Sequence, residues 1–204
     1  MIYGSTQRHA PRWRPARHYL RSAVSAELWD WLLDTGSLTH RLRRRCGGAF
    51  RVAVRRQFWG RPTADERRML GMAAAERSLI REVHLLCGDT PLVFARTVIP
   101  VSSLRGRQRR LTRLGSRPLG AALFADRSLR RGVVDVVCLQ RGEPLFTRAM
   151  ADVAAKNATI WGRRSVFHLQ ERPLLVSEIF LPALLQGRTQ RVSPTSPRGV
   201  ALER

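Results

Sequence analysis

A chain of 204 residues with 44% hydrophobic content is long enough for one domain with an ordinary core and short tails. Its formal net charge of +22 raises nucleic acid or an anionic membrane surface as partners, but nearly all the cations are arginines. Lys156 is the sole lysine, and the arginines run along the whole chain instead of gathering on one predicted helix, so no nucleic-acid partner is expected.

In chain order, residues 1–24 mix Arg, His, Pro and aromatics without periodicity and read as an extended or poorly ordered lead-in. Ser25 is placed to cap a short helix over Ala26–Leu33, with Leu28, Trp29, Leu32 and Leu33 as its apolar stripe. Ser37 is placed to cap a second, Leu38–Arg45, ended by Gly47-Gly48. Ala49–Phe58 alternates as a strand, and Asp65–Ala75 is loosely helical or loop. Ser78–Cys87 and Leu92–Pro100 form a hairpin about the turn Gly88-Asp89-Thr90-Pro91. Leu104–Leu114 is basic and amphipathic, Gly115–Gly120 is a turn, and Ala121–Phe124 is a short helix. Val133–Leu139 reads as a strand and Leu145–Ala158 as a helix. Ser165–Leu169 and Leu174–Leu181 form a second hairpin around Gln170-Glu171-Arg172-Pro173. From residue 186 the composition turns to Gln, Arg, Thr, Ser and Pro, expected to be a disordered tail. The fold class is α+β: one domain over residues 25–185, an antiparallel sheet backed by helices.

The informative residue is Glu178, the only charge in the apolar run Leu174–Pro182. A buried carboxylate costs several kcal/mol unless it is paired, hydrogen-bonded or protonated. It therefore needs a partner, either a cross-strand arginine acting as structural filler or a ligand. Just upstream, Trp161-Gly162-Arg163-Arg164-Ser165 is a dense cationic corner. Arg81 and Arg96 likewise sit inside apolar strands. A guanidinium fork matches a carboxylate, glycines in Gly115–Gly120 can expose backbone N–H groups, and a partly desolvated glutamate can bond a hydroxyl. Together they suit a small carboxylated, hydroxylated substrate.

Much chemistry is missing. No Walker A, GxGxxG, GxSxG or HExxH pattern occurs, and the five histidines show no ligand spacing, so neither a metal site nor a hydrolase triad is supported. Cys46, Cys87 and Cys138 are an odd number, which excludes a closed disulfide set and favours reduced thiols in the cytoplasm. No stretch approaches the roughly 20 apolar residues of a membrane span, and the N-terminus lacks the apolar region of a secretory signal.

Five blocks occur in an order that resembles the chorismate lyase family: Leu79–Glu82, Ala95–Ser102, Leu114–Gly120, Trp161–Ser165 and Leu174–Pro182. Leu28–Leu33 resembles that family's first helix, so the likeness spans about residues 25–183. The resemblance implies conversion of chorismate to 4-hydroxybenzoate and pyruvate, the first step of ubiquinone synthesis, without metal or organic cofactor. It implies an internal pocket closed by helix-turn flaps. A monomer is expected. By resemblance Arg81 grips the ring carboxylate, the Leu119 backbone faces that carboxylate, and Glu178 meets the ring hydroxyl. Arg96 is a second arginine beside the pocket, expected to orient the enolpyruvyl carboxylate. Leu38 stands where the family often has methionine. The competing reading, a small basic RNA-binding domain, needs exposed cations on one face and binding that weakens with salt. The apolar settings of Arg81, Arg96 and Glu178 oppose it.

Overall fold

The structure is a computed structural model and describes residues 11–186. The start of the expected lead-in and nearly all of the expected tail lie outside these residues. In chain order the elements are β1 (Arg14–Pro15), α1 (Ala26–Leu33), α2 (Leu38–Cys46), β2 (Phe50–Gly60), α3 (Ala64–Met69), β3 (Ser78–Cys87) and β4 (Thr90–Pro100). Then follow α4 (Leu119–Phe124), β5 (Arg130–Arg131), β6 (Asp135–Gln140), α5 (Pro144–Ala149), β7 (Thr159–Leu169) and β8 (Arg172–Phe180). Tight helical turns cover Val101–Ser103 and Gly106–Arg113. The strands form one sheet in the order β1-β6-β7-β8-β4-β3-β2, with β5 also on β7, and every pairing is antiparallel.

Local chemistry explains the helix starts. Ser25 Oγ accepts the Leu28 N–H at 3.2 Å and Ser37 Oγ accepts the His40 N–H at 3.3 Å. Thr63 and Glu66 form a reciprocal capping box that fixes α3. The two-residue turn joining β7 to β8 places both Gln170 and Glu171 at positive φ, the mirror-image turn that matches strand twist.

Because side chains alternate along each strand, the sheet has two differently furnished faces. One face receives α1 and α2 over Val52, Val83, Leu85 and Phe180. It also receives α4 and the Gly106–Arg113 turn over Leu79, Ile99, Phe167 and Val176. The opposite face receives α5 over Phe94, Val137 and Ile179. It receives α3 as well, through ion pairs from Asp65 and Glu66 to sheet arginines.

Several expectations are corrected. The lead-in is not loose where it is described: Arg14–Pro15 pairs with β6, and Tyr19 packs edge-on to Trp161 with ring centroids 5.3 Å apart. The buried stripe of α1 is Leu28, Trp31 and Leu32, whereas Leu33 is 38% exposed and Trp29 half-buried. Positions 28, 31 and 32 share one side of a 3.6-residue helix, and 29 and 33 fall on its flank. The helix expected over Leu145–Ala158 stops at Ala149, because the chain must reverse to meet the β6 ladder, which begins at Gln140 opposite Thr159. For the same reason β7 starts six residues before Ser165 and absorbs the cationic corner into a strand.

Cys46 and Cys87 are joined in a disulfide, with Cα atoms 5.4 Å apart, and Cys138 is free. An odd count left one such bond possible. The tertiary fold brings the end of α2 against the end of β3, where Phe50 pairs with Cys87.

Candidate active site

A cavity lies between the sheet and the elements that cross its first face. Its floor comes from β3, β4, β7 and β8 through Arg81, Thr97, Arg163 and Glu178, and its roof from Leu38 and Thr39 at the start of α2 and Pro118–Leu123 around α4. Its volume is about 50 Å³, room for a few waters, so a ring-sized ligand needs the roof to shift. The roof elements meet closely: a Cβ on Gly120 would stand 2.7 Å from Thr39 Oγ1. The helix-turn flaps expected over the pocket correspond to α2 and to the segment from Gly106 through α4.

Arg81 is 3% exposed. Its Nη2 donates to the carbonyls of Gly115 at 2.9 Å and Arg117 at 3.3 Å, and its buried Nε has no partner. The glycine turn thus meets this arginine through carbonyls that fix its direction. Gly115 sits at φ +55°, where a side chain would be strained. Among the described residues no carboxylate lies within ion-pair distance of Arg81. Burial lowers its pKa from the ordinary value, yet an arginine stays cationic at neutral pH. A buried cation without a counter-charge is costly, and an anion in the cavity would relieve that cost.

Glu178 stands opposite Arg163 across β7 and β8, and Arg163 Nε donates to its Oε2 at 2.6 Å. Arg163 is 1% exposed and also donates to the carbonyls of Trp31 and Asp34, closing the C-terminal end of α1. The partner that the sequence demanded for Glu178 is therefore inside the fold, while the carboxylate still borders the cavity. Leu38 and Leu119, at 5% and 8% exposure, supply apolar wall.

Arg96 is a correction. Its neighbours Ala95 and Thr97 line the cavity, so strand alternation turns Arg96 to the opposite face. There two carboxylates engage it: Nε donates to Glu66 Oε1 at 2.7 Å, Nη2 to Glu66 Oε2 at 3.0 Å, and Nη1 to Glu82 Oε1 at 2.6 Å. Burial pushes the Glu66 carboxyl up, but the Arg96 hydrogen bonds and charge outweigh it and hold it below the usual range. Burial likewise pushes Arg96 down and its two acids more than restore it. Its charge is already met by two acids on the face away from the cavity.

Arg131 of β5 also lines the cavity, and the sequence reading missed it. It lies in Leu129-Arg130-Arg131-Gly132, too short a stretch to show any period.

The cavity thus brings a guanidinium without a carboxylate partner among the described residues and a carboxylate together on an α+β fold. The comparisons narrow that class. The effector domain of PhnF from Mycobacterium smegmatis shares the fold, with TM-score 0.57 at 16% identity over 74% of this chain and 91% of that one. The probable chorismate pyruvate-lyase of Azoarcus sp. (strain BH72) is 50% identical over 164 residues, covering 78% of this chain and 85% of its own. That of Aromatoleum aromaticum is 43% identical over 182 residues, covering 87% and 96%. The family pattern described as Chorismate lyase matches residues 10–190, and the chain belongs to that family.

Proposed function

We infer that this protein is a chorismate pyruvate-lyase. Membership of the chorismate lyase family supports this, and one structural observation carries it to a site. Arg81, buried and without a carboxylate partner among the described residues, faces the same cavity as Glu178.

Chorismate carries a ring carboxylate, a ring hydroxyl and an enolpyruvyl ether on the carbon beside that hydroxyl. The reaction breaks the ether bond to the ring and removes the hydrogen on the neighbouring, hydroxyl-bearing ring carbon, and the enolpyruvyl methylene gains a hydrogen to become the methyl group of pyruvate. The ring becomes aromatic, and pyruvate and 4-hydroxybenzoate separate with no atoms left over. Aromatisation supplies the driving force, so the protein's task is to hold a reactive conformer away from water. Arg81 takes the ring carboxylate, with the Leu119 backbone at the start of α4 beside it. Glu178 accepts the hydrogen bond of the ring hydroxyl, kept in place by Arg163. Leu38 and Leu119 press on the ring. The hydrogen moves within the substrate, since Glu178, the only carboxylate among the described lining residues, is held by Arg163. Product leaves when the flaps part, a step able to limit turnover.

In this reading the enzyme acts as a monomer in the cytoplasm and opens ubiquinone synthesis. No helix among the described residues is long and apolar enough to cross a membrane. The direct test mixes purified protein with chorismate in the presence of EDTA and follows both products. Equal formation of 4-hydroxybenzoate and pyruvate is expected. Folded protein that forms neither would end the proposal, and turnover only after metal is restored would end its cofactor-free form.

A further inference from the structure

The cavity wall holds three arginines, and they are not equivalent. Arg163 is engaged by Glu178 at 2.6 Å. Arg81 and Arg131 have no carboxylate within ion-pair distance among the described residues. Arg131 Nε donates to Ser165 Oγ at 3.0 Å, and its Nη1 donates to the carbonyls of Asp34 at 3.2 Å and Thr35 at 3.1 Å. Its guanidinium carbon also stands 5.2 Å from the centre of the Phe167 ring. These contacts aim the group and neutralise none of its charge. Its Nη2 makes no hydrogen bond among the described residues.

The surroundings of Arg131 have a surplus of positive charge. Arg163, Glu178 and Asp34 all bear on it electrostatically. Asp34 is drawn off by Arg41 at 3.0 Å, which leaves Arg131 and Arg163 against the single carboxylate of Glu178. Chorismate brings two carboxylates, and its ring carboxylate is accounted for by Arg81. The second hangs from the ether on the carbon next to the hydroxyl, so it must lie on the Glu178 side of the cavity. That is the side Arg131 occupies.

On the lyase reading above, we propose that Arg131 anchors the enolpyruvyl carboxylate of chorismate, the role that Arg96 is facing the wrong way to fill. The same group donates to the backbone at Asp34 and Thr35, where α1 hands over to α2. Arrival of the second carboxylate at Arg131 is thereby felt at the root of the α2 flap. Once pyruvate has separated, Arg131 loses its anion while Arg81 keeps the product carboxylate.

The difference between substrate and product supplies the test, because 4-hydroxybenzoate has no enolpyruvyl group. Arg131→Ala is expected to lower kcat/KM for chorismate about thirtyfold or more, the loss of a charged hydrogen-bonding partner, while the Kd for 4-hydroxybenzoate moves less than about threefold. Arg81→Ala lowers both. A Kd for 4-hydroxybenzoate that weakens in parallel with kcat/KM in Arg131→Ala would overturn the proposal, since that is what a purely structural role through Asp34, Thr35 and Ser165 produces. An unchanged kcat/KM would overturn it equally. Should the alanine variant fail to fold, Arg131→Lys keeps a cation and carries the same paired measurement: partial loss of kcat/KM with product affinity intact supports the proposal, and parallel losses overturn it. The unchanged chain is the control. If it does not turn chorismate over, the lyase reading falls and this proposal with it, whereas failure in the variants' pattern alone leaves that reading standing.

Discussion

The two faces of the sheet solve the same problem in opposite ways. On the face under α3 and α5, buried arginines are met by the chain's own acids: Arg96 by Glu66 and Glu82, Arg164 by Asp65 and Asp135. On the face under α2 and α4, Arg81 and Arg131 touch carbonyls and a hydroxyl but, among the described residues, no carboxylate. Removing a charge from water costs several kcal/mol on either face. Where the fold supplies the counter-charge, the arginine is structure; where it does not, the missing anion must come from outside. Arg163, paired with Glu178 yet bordering the cavity, stands between the two cases.

The hardest blow to this contrast would come from the two buried strand arginines. Arg81→Ala should lower kcat/KM by on the order of a thousandfold while costing little stability, since no acid is left stranded. Arg96→Ala should do the reverse. It leaves Glu66 buried without its arginine and Glu82 with only Arg148 at 3.5 Å, and should cost about 3–5 kcal/mol in denaturant unfolding. The fraction that folds should bind 4-hydroxybenzoate as the parent does. If Arg96→Ala abolished binding in folded protein, the division between faces would be wrong.

A smaller effect separates the faces by pH. Glu66 holds its proton more weakly folded than unfolded. Its contribution is fully present above the unfolded carboxylate value near 4.3 and is lost as pH falls through the lower folded value, because the unfolded chain then binds more protons. Glu66→Gln should flatten the fall in urea midpoint between about pH 5 and pH 3 relative to the parent. An identical acid limb in both proteins would remove Glu66 from the account.

The smallest expected effect concerns the roof. Gly120→Ala puts a methyl 2.7 Å from Thr39 Oγ1, so the two flaps must part slightly. Product release should speed up by a few-fold at nearly unchanged stability, and adding Thr39→Ala should reverse it, the coupling expected of residues in contact. Stopped-flow release of 4-hydroxybenzoate reads both variants, and additive rates would show that this contact does not hold the roof shut.

Sequence alone determined a good deal here. The capped starts of α1 and α2, the two long hairpins and the α+β class are local or periodic signals, and each is written in a few adjacent residues. Glu178 was legible as a carboxylate needing a partner, because one charge in nine residues of apolar strand is anomalous wherever the strand lies. The blocks around Arg81, Leu119 and Glu178 carried the family likeness. What the tertiary structure alone decided was direction and company. Arg163 and Arg164 are neighbours in sequence, yet strand alternation sends one to Glu178 beside the cavity and the other to Asp65 and Asp135 beneath the sheet. Arg81 and Arg96 looked alike in their strands, but only the register of β3 against β4 turns Arg81 to the cavity and Arg96 to Glu66 and Glu82. Arg131 and the Cys46–Cys87 bond depend on contacts across 34 and 41 residues. No local pattern encodes such contacts, because their energies arise only after the sheet has assembled.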